Sequence, residues 1–158
     1  MPDAAGEMNG FGKSFAQLFW EVWRELGYKL PTDTNNCYMF ELLTKYNRVV
    51  VRQDKPQIVL HGARNLTTFK ELNPVVEAHV NGWKCVPSYP LNSIEAVLEA
   101  AKTLDAMTSE GYVICDSSYN RIKVKSPVYV AMSHLKDSVG ASKRQLLEVV
   151  RKNESNEF

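Results

Sequence analysis

Glu110-Gly111-Tyr112-Val113-Ile114-Cys115, then Asp116-Ser117-Ser118-Tyr119-Asn120, then Arg121-Ile122-Lys123-Val124-Lys125: this stretch decides the fold. Two short β-rich runs, Gly111–Cys115 and Arg121–Lys125, flank a polar turn, which is the pattern of a hairpin. Hairpin neighbours pair antiparallel, whereas parallel neighbours need a long crossover. The same pattern recurs upstream. Cys37–Leu43 reads as a strand, Tyr46-Asn47-Arg48 as a turn, and Val49–Arg52 as a returning strand, with Ile58–His61 a third strand. Helical signals are interspersed. Ser14 followed by Gln17 makes a capping box, Phe15, Leu18, Phe19, Val22, Trp23 and Leu26 keep helical spacing, and Gly27 ends the run. That aromatic stripe reads as core packing against a sheet. Pro74 marks a helix start within 66–82, Ser93 caps a helix running to about Met107, and 128–136 and 141–152 read as helices. Strand pairs of hairpin type with helices between them predict an α+β class, antiparallel sheets flanked by helices, over a doubly wound fold.

Composition sets the limits. The chain has 158 residues and 17.9 kDa, close to one domain. Apolar residues make up 44% and charged residues 23%, which excludes a wholly disordered chain. A formal charge of +1 excludes a polycation, so contact with a polyanion must come from a local patch. No apolar run reaches the roughly 18 residues of a membrane span, and Met1–Glu7 lacks the basic start and apolar core of a signal peptide. Cys37, Cys85 and Cys115 show no C-x-x-C spacing, so neither structural zinc nor a disulfide framework is expected, and a cytoplasmic setting is. His61, His79 and His134 are not at metal-ligand spacing. The signatures G-x-x-x-x-G-K-[ST], G-x-S-x-G and G-x-G-x-x-G do not occur.

Alternate residues of a strand share a face, so Arg121, Lys123 and Lys125 point one way while Ile122 and Val124 point into a core. Three cations in a row can oppose the charge of a polyphosphate. They can equally guard an edge strand against aggregation. Glu110 opens the paired strand, beside a glycine that permits close backbone approach. A carboxylate and cations on paired strands suit a metal–nucleotide site, since Mg²⁺ commonly takes one or two protein carboxylates with phosphate oxygens. A surface salt bridge would use the same residues. Glu41 lies in the otherwise apolar strand Cys37–Leu43. If buried there it must be paired, hydrogen-bonded or bound to a ligand, with Arg48, Arg52 and Arg64 as candidate partners. His61-Gly62-Ala63-Arg64 reads as a glycine turn carrying a cation, Arg64, able to grip a phosphate or carboxylate.

In chain order, Phe40-Glu41, His61-Gly62-Ala63-Arg64, Glu110-Gly111-Tyr112-Val113 and Lys123-Val124-Lys125 resemble the covalent nucleotidyltransferase superfamily, and within it the adenylation domain of phage-type RNA ligases. The resemblance covers roughly residues 2–136. It implies a partial adenylation domain over 1–152 with a frayed polar tail at 153–158, ATP and Mg²⁺ as cofactors, and RNA 5′-phosphate and 3′-hydroxyl ends as partners. It also implies a three-step reaction in which ATP adenylates a lysine, AMP passes to the 5′-phosphate, and the 3′-hydroxyl attacks to release AMP. Glu41 would then sit near the ribose or metal, Glu110 would serve Mg²⁺, and Lys123 and Lys125 would hold the ATP phosphates. Arg64 would support phosphate binding, and Phe40 or Tyr38 would pack against adenine, although strand parity sets both opposite Glu41. Glu41, Glu110, Lys123 and Lys125 are expected to converge on one cleft. The family's Lys-x-Asp-Gly or Lys-x-x-Asp-Gly nucleophile motif is absent from this sequence, and Lys13, followed by Ser14-Phe15-Ala16 at a helix start, is no match for it. The expectation is a fragment, split product, mis-started frame or degenerate member, inactive alone. It could expose a sheet edge and self-associate or receive a missing N-terminal segment. A non-catalytic nucleotide- or RNA-binding module and a purely structural protein are the competing readings.

Overall fold

The computed structural model describes residues 12–31, 33–47 and 50–137. These residues fall into two compact units. One is drawn from Met1–Asn47 and Gln53–Ser88, the other from Arg48–Arg52 and Tyr89–Phe158.

The first unit opens with helix α1, Phe15–Glu25. The Ser14 hydroxyl accepts the Gln17 N–H at 3.2 Å and the Gln17 side chain accepts the Ser14 N–H at 2.8 Å, so the capping box satisfies two donors that the helix leaves unpaired. Strand β1 (Asn36–Leu43) then pairs antiparallel with β2 (Gln57–Asn65). The far edge of β2 takes two very short strands. β3 (Glu71–Leu72) pairs antiparallel at Ala63 and Arg64, and β4 (Lys84–Cys85) pairs parallel at Val59 and Leu60. Helix α2 (Pro74–Asn81) lies between them in sequence, with Pro74 in its first turn and Gly82 closing it in the left-handed region.

The β1–β2 register pairs Tyr38 with Ala63, Phe40 with Leu60 and Leu42 with Ile58, and slips by one residue between Met39 and Phe40. His61 is the extra residue, a β-bulge. The faces follow from these pairs. Tyr38, Phe40, Leu42, Ile58 and Leu60 join Leu18, Val22 and Trp23 of α1, Ala78 of α2 and Trp83 in one core. Trp23 is its centre, 5.4 Å from the Phe40 ring and 5.6 Å from those of Phe19 and Trp83. The Trp83 indole N–H donates to the Lys29 carbonyl at 3.1 Å, and the Tyr28 hydroxyl donates to the Ile58 carbonyl at 3.2 Å, so the aromatic core keeps its polar tips satisfied.

The second unit holds helix α3 (Ile94–Lys102), the hairpin β5 (Gly111–Cys115) and β6 (Arg121–Lys125), and helix α4 (Pro127–Asp137). Ser93 caps α3 by accepting the Ala96 N–H at 3.1 Å. α3 packs on both hairpin strands and on α4. Val50, Ala106 and Tyr129 form a small buried core with Val51, Met107 and Met132 around it.

The α+β class with antiparallel pairing is as expected, with one short parallel pair added. Three expectations change. No returning strand lies at 50–52. Val50 is buried in the second unit and the Arg52 N–H donates to the Met107 carbonyl at 2.8 Å, so tertiary burial overrides β propensity there. The helix from Ser93 stops at Lys102, not near Met107. The Asp105 carboxylate accepts the Met107 N–H at 2.9 Å, a local turn that competes with helix. His61–Arg64 is bulged strand, not a glycine turn. The expected helix 141–152 and tail 153–158 lie outside the described residues.

Candidate functional site

The β5–β6 ladder pairs Gly111 with Lys125, Val113 with Lys123 and Cys115 with Arg121. Partners across an antiparallel pair share a face, so Arg121, Lys123 and Lys125 stand in a row on one side of the hairpin. The Ser126 N–H donates to the Glu110 carbonyl at 2.9 Å and extends the ladder by one step. That step brings Glu110 beside the row. Its Oε1 accepts the Lys123 ammonium at 2.8 Å and the Lys125 ammonium at 3.2 Å.

Gly111 makes the close approach possible, though the group that approaches is β6 itself. Its φ is 156°, and an added Cβ would collide with the Val124 carbonyl oxygen and lie 2.8 Å from the Lys125 Cα. Partial burial of Glu110 works against its ionisation, and hydrogen bonds and charge from Lys123 and Lys125 outweigh this, holding the carboxyl below its ordinary value. The lysines remain about half exposed, at 51% and 47% of their side-chain surface. Lys125 also lies 5.7 Å from the centroid of the buried Tyr129 ring. Of the two residues expected to point into a core, Val124 is only half-buried and Ile122 is 62% exposed.

Glu41 and Arg64 belong to the first unit. Glu41 pairs with Val59 on the face of β1–β2 opposite the aromatic core, and it is exposed, not buried. The premise that burial forces a partner on it therefore fails, and no salt bridge to it occurs among the described residues. Arg64 shares that face. Its Nε and Nη2 both reach Glu71 Oε1, at 2.9 and 2.6 Å, a forked contact that fixes the guanidinium plane. Glu71 carries no sequence signal, since a two-residue strand has no period. Phe40 lies inside the aromatic core, 5.1 Å from the Trp83 ring and on the opposite face from Glu41. Tyr38 lies 5.0 Å from the same ring and donates its hydroxyl to Glu77 at 3.2 Å.

Lys13, the residue nearest to a substitute nucleophile, is bonded to Glu21 at 2.7 Å. That hydrogen bond and the glutamate charge raise its pKa, opposite to what a nucleophilic amine needs. A cleft of about 340 Å³ beside this pair is lined by Glu25, Thr44, Tyr46 and Asp54 among others, and by none of the candidate site residues. Among the described residues there is no cluster of three or more His, Cys, Asp or Glu side chains placed to hold a metal, and no helix long and apolar enough to cross a membrane. Cys37, Cys85 and Cys115 are free.

The turn between the strands adds a feature that its sequence does not advertise. Tyr119 adopts φ 63°, in the left-handed region where non-glycine residues are uncommon. The Arg121 guanidinium lies 5.7 Å from its ring centroid.

Residues 18–129 match the family model described as RNA ligase. The chain is also similar to an RNA ligase of Rhodothermus phage RM378, 26% identical over 182 aligned positions. That alignment covers 92% of this chain and 41% of the relative, so the chain spans well under half of the relative's length.

Proposed function

The chain belongs to the RNA ligase family, and from that premise we propose that it serves as the phosphate- and metal-handling part of an ATP-dependent RNA ligase adenylation domain. The observation that supports this most is the convergence of Lys123 and Lys125 on Glu110 across paired strands. Two ammonium groups on one carboxylate oxygen form a site whose partners can be exchanged. With Mg-ATP present, Lys123 and Lys125 would turn to phosphate oxygens, leaving the Glu110 carboxylate for Mg²⁺. A single carboxylate fits an ion that arrives with its nucleotide, because Mg²⁺ keeps water and phosphate oxygens in most of its coordination sphere. The metal would supply neutralisation of phosphate charge. The lysines would stabilise the charge that shifts during AMP transfer to the RNA 5′-phosphate. Glu41, itself exposed, would contribute to ribose or metal, and Arg64 would contribute to phosphate if released from Glu71.

The covalent step needs an amine that can lose its proton near neutral pH and stand in line with the α-phosphate. These 158 residues contain no Lys-x-Asp-Gly element, and Lys13 is held protonated by Glu21. We therefore expect Mg-ATP binding by the chain without a stable enzyme–AMP adduct. Isothermal titration with Mg-ATP and incubation with labelled ATP, followed by denaturing electrophoresis and mass spectrometry, test both halves. No ATP binding would sink the nucleotide reading, and a stoichiometric acid-labile AMP adduct on any lysine would sink the missing-nucleophile reading. The absent motif also favours a second reading, a non-catalytic nucleotide- or RNA-binding module. Adduct formation after a Lys-x-Asp-Gly segment is supplied in trans would decide for the ligase.

A further inference from the structure

We propose that Tyr119 and Arg121 form a docking platform for a nucleotide of the RNA strand, continuous along β6 with the Lys123–Lys125 site. The inference rests on the ligase reading for the identity of its ligand. Its support lies in how the turn is built.

The Asp116 carboxylate accepts the Ser118 N–H at 2.8 Å, the Asn120 N–H at 2.9 Å and the Asn120 side-chain N–H at 2.8 Å. The Tyr119 N–H donates to the Asp116 carbonyl at 3.0 Å, and the Asp116 N–H donates to the Asn120 carbonyl at 3.1 Å. This network holds Tyr119 at φ 63°, where asparagine or glycine would sit with less strain. Arg121 Nη1 donates to the Tyr119 carbonyl at 3.0 Å, with the guanidinium 5.7 Å from the ring centroid. A phenol ring and a planar cation are thus fixed together at the end of the cation row.

Arg121, Lys123 and Lys125 repeat at two-residue intervals, about 6.7 Å along a strand. One nucleoside triphosphate supplies a single base, and Lys123 and Lys125 already face its phosphates in the reading above. A third cation joined to a flat ring suits a polyanion that also carries stacking bases. Single-stranded RNA is recognised by such stacking on aromatic rings and guanidinium planes.

The test is fluorescence anisotropy of a short 5′-phosphorylated single-stranded oligoribonucleotide, labelled at its 3′ end, titrated with the full chain over a salt series. Mg-ATP titration of the same proteins runs in parallel. Tyr119→Asn removes the ring and keeps a residue that tolerates the left-handed region, so the turn survives. We expect it to weaken RNA binding at least about fivefold, Tyr119→Phe to restore parental affinity, and Mg-ATP affinity to stay at the parental value in both. Arg121→Gln is expected to weaken RNA binding and to flatten the salt slope by about 0.7, the contribution of one phosphate contact on a single strand. Parental RNA affinity in Tyr119→Asn, no RNA binding by the parent, or equal losses of Mg-ATP and RNA affinity would each overturn the platform. Tyr119-dependent RNA binding in a chain that binds no Mg-ATP would uphold it while removing the nucleotide assignment of Lys123 and Lys125.

Discussion

Gly111→Ala isolates what holds the site together. At Gly111 a Cβ would collide with the Val124 carbonyl oxygen, and would lie 2.8 Å from the Lys125 Cα and 3.0 Å from the Val124 carbonyl carbon. All three atoms are backbone, so no side-chain rotation relieves the clash. The strands must part at the Gly111–Lys125 pair. Overpacking of this kind costs about 1–3 kcal/mol, and the Ser126-to-Glu110 ladder bond that follows adds about 1 kcal/mol if it breaks. The sum is about 2–4 kcal/mol, which raises local opening about thirty- to several-hundredfold. Amide hydrogen exchange across β5 and β6 reads this directly. Gly82→Ala is the control, because Gly82 has φ 70° with nothing within 4 Å of an added Cβ and should show a backbone penalty of about 1–2 kcal/mol alone. Unchanged protection at 111–115 in Gly111→Ala, or a loss no larger than in the control, would refute the close-approach argument.

Four further outcomes are expected. Lys123→Ala and Lys125→Ala should each weaken Mg-ATP binding by about 1.5–3 kcal/mol while changing stability by about 0.5 kcal/mol or less, measured by calorimetry and urea denaturation. Glu110 has a folded pKa below its ordinary value of about 4.3, so its stabilisation is fully present above that value and is lost as pH falls through the folded pKa. The stability gap between the parent and Glu110→Gln should accordingly hold from neutral pH down to about 4.3 and narrow as pH falls further, and a gap independent of pH would contradict the ion triad. Trp23→Ala, at the centre of the aromatic core, should cost about 3–5 kcal/mol, seen as an early denaturation of α1 and β1–β2. Arg64→Ala should leave the buried core intact yet remove the forked contact to Glu71; because the Arg64 side chain is half exposed, thermal denaturation should register a loss of about 1 kcal/mol or less.

Much of this was legible from residue pattern. The Ser14–Gln17 box and the stripe ending in Leu26 mark α1, because capping and amphipathic spacing are local properties. The β5 and β6 runs are bounded by polar turn residues, and those residues predict the bounds the structure has. At Glu41 the residue pattern misleads for a physical reason. Its strand is apolar on both faces, yet helix α1 covers the face of Tyr38, Phe40 and Leu42, and parity sets Glu41 on the other. Val50 could not be placed, since its burial depends on Ala106 and Tyr129, far along the chain. β3 and β4 have two residues each, too few for any period. The strained Tyr119 was invisible because backbone sign is not written in an aromatic side chain.

The bulge at His61 bears on how the sequence can change length. Removing His61 would leave every β1–β2 partner as it is, since Leu60 already faces Phe40 and Gly62 already faces Met39. Removing Val59 instead would carry Leu60 or its neighbours to the wrong side of the sheet. Position 61 is thus a place where β2 tolerates a missing codon better than a neighbouring one. In an alignment, a one-residue gap there preserves the side on which Glu41 and Arg64 stand, and a gap elsewhere in the strand signals a different surface.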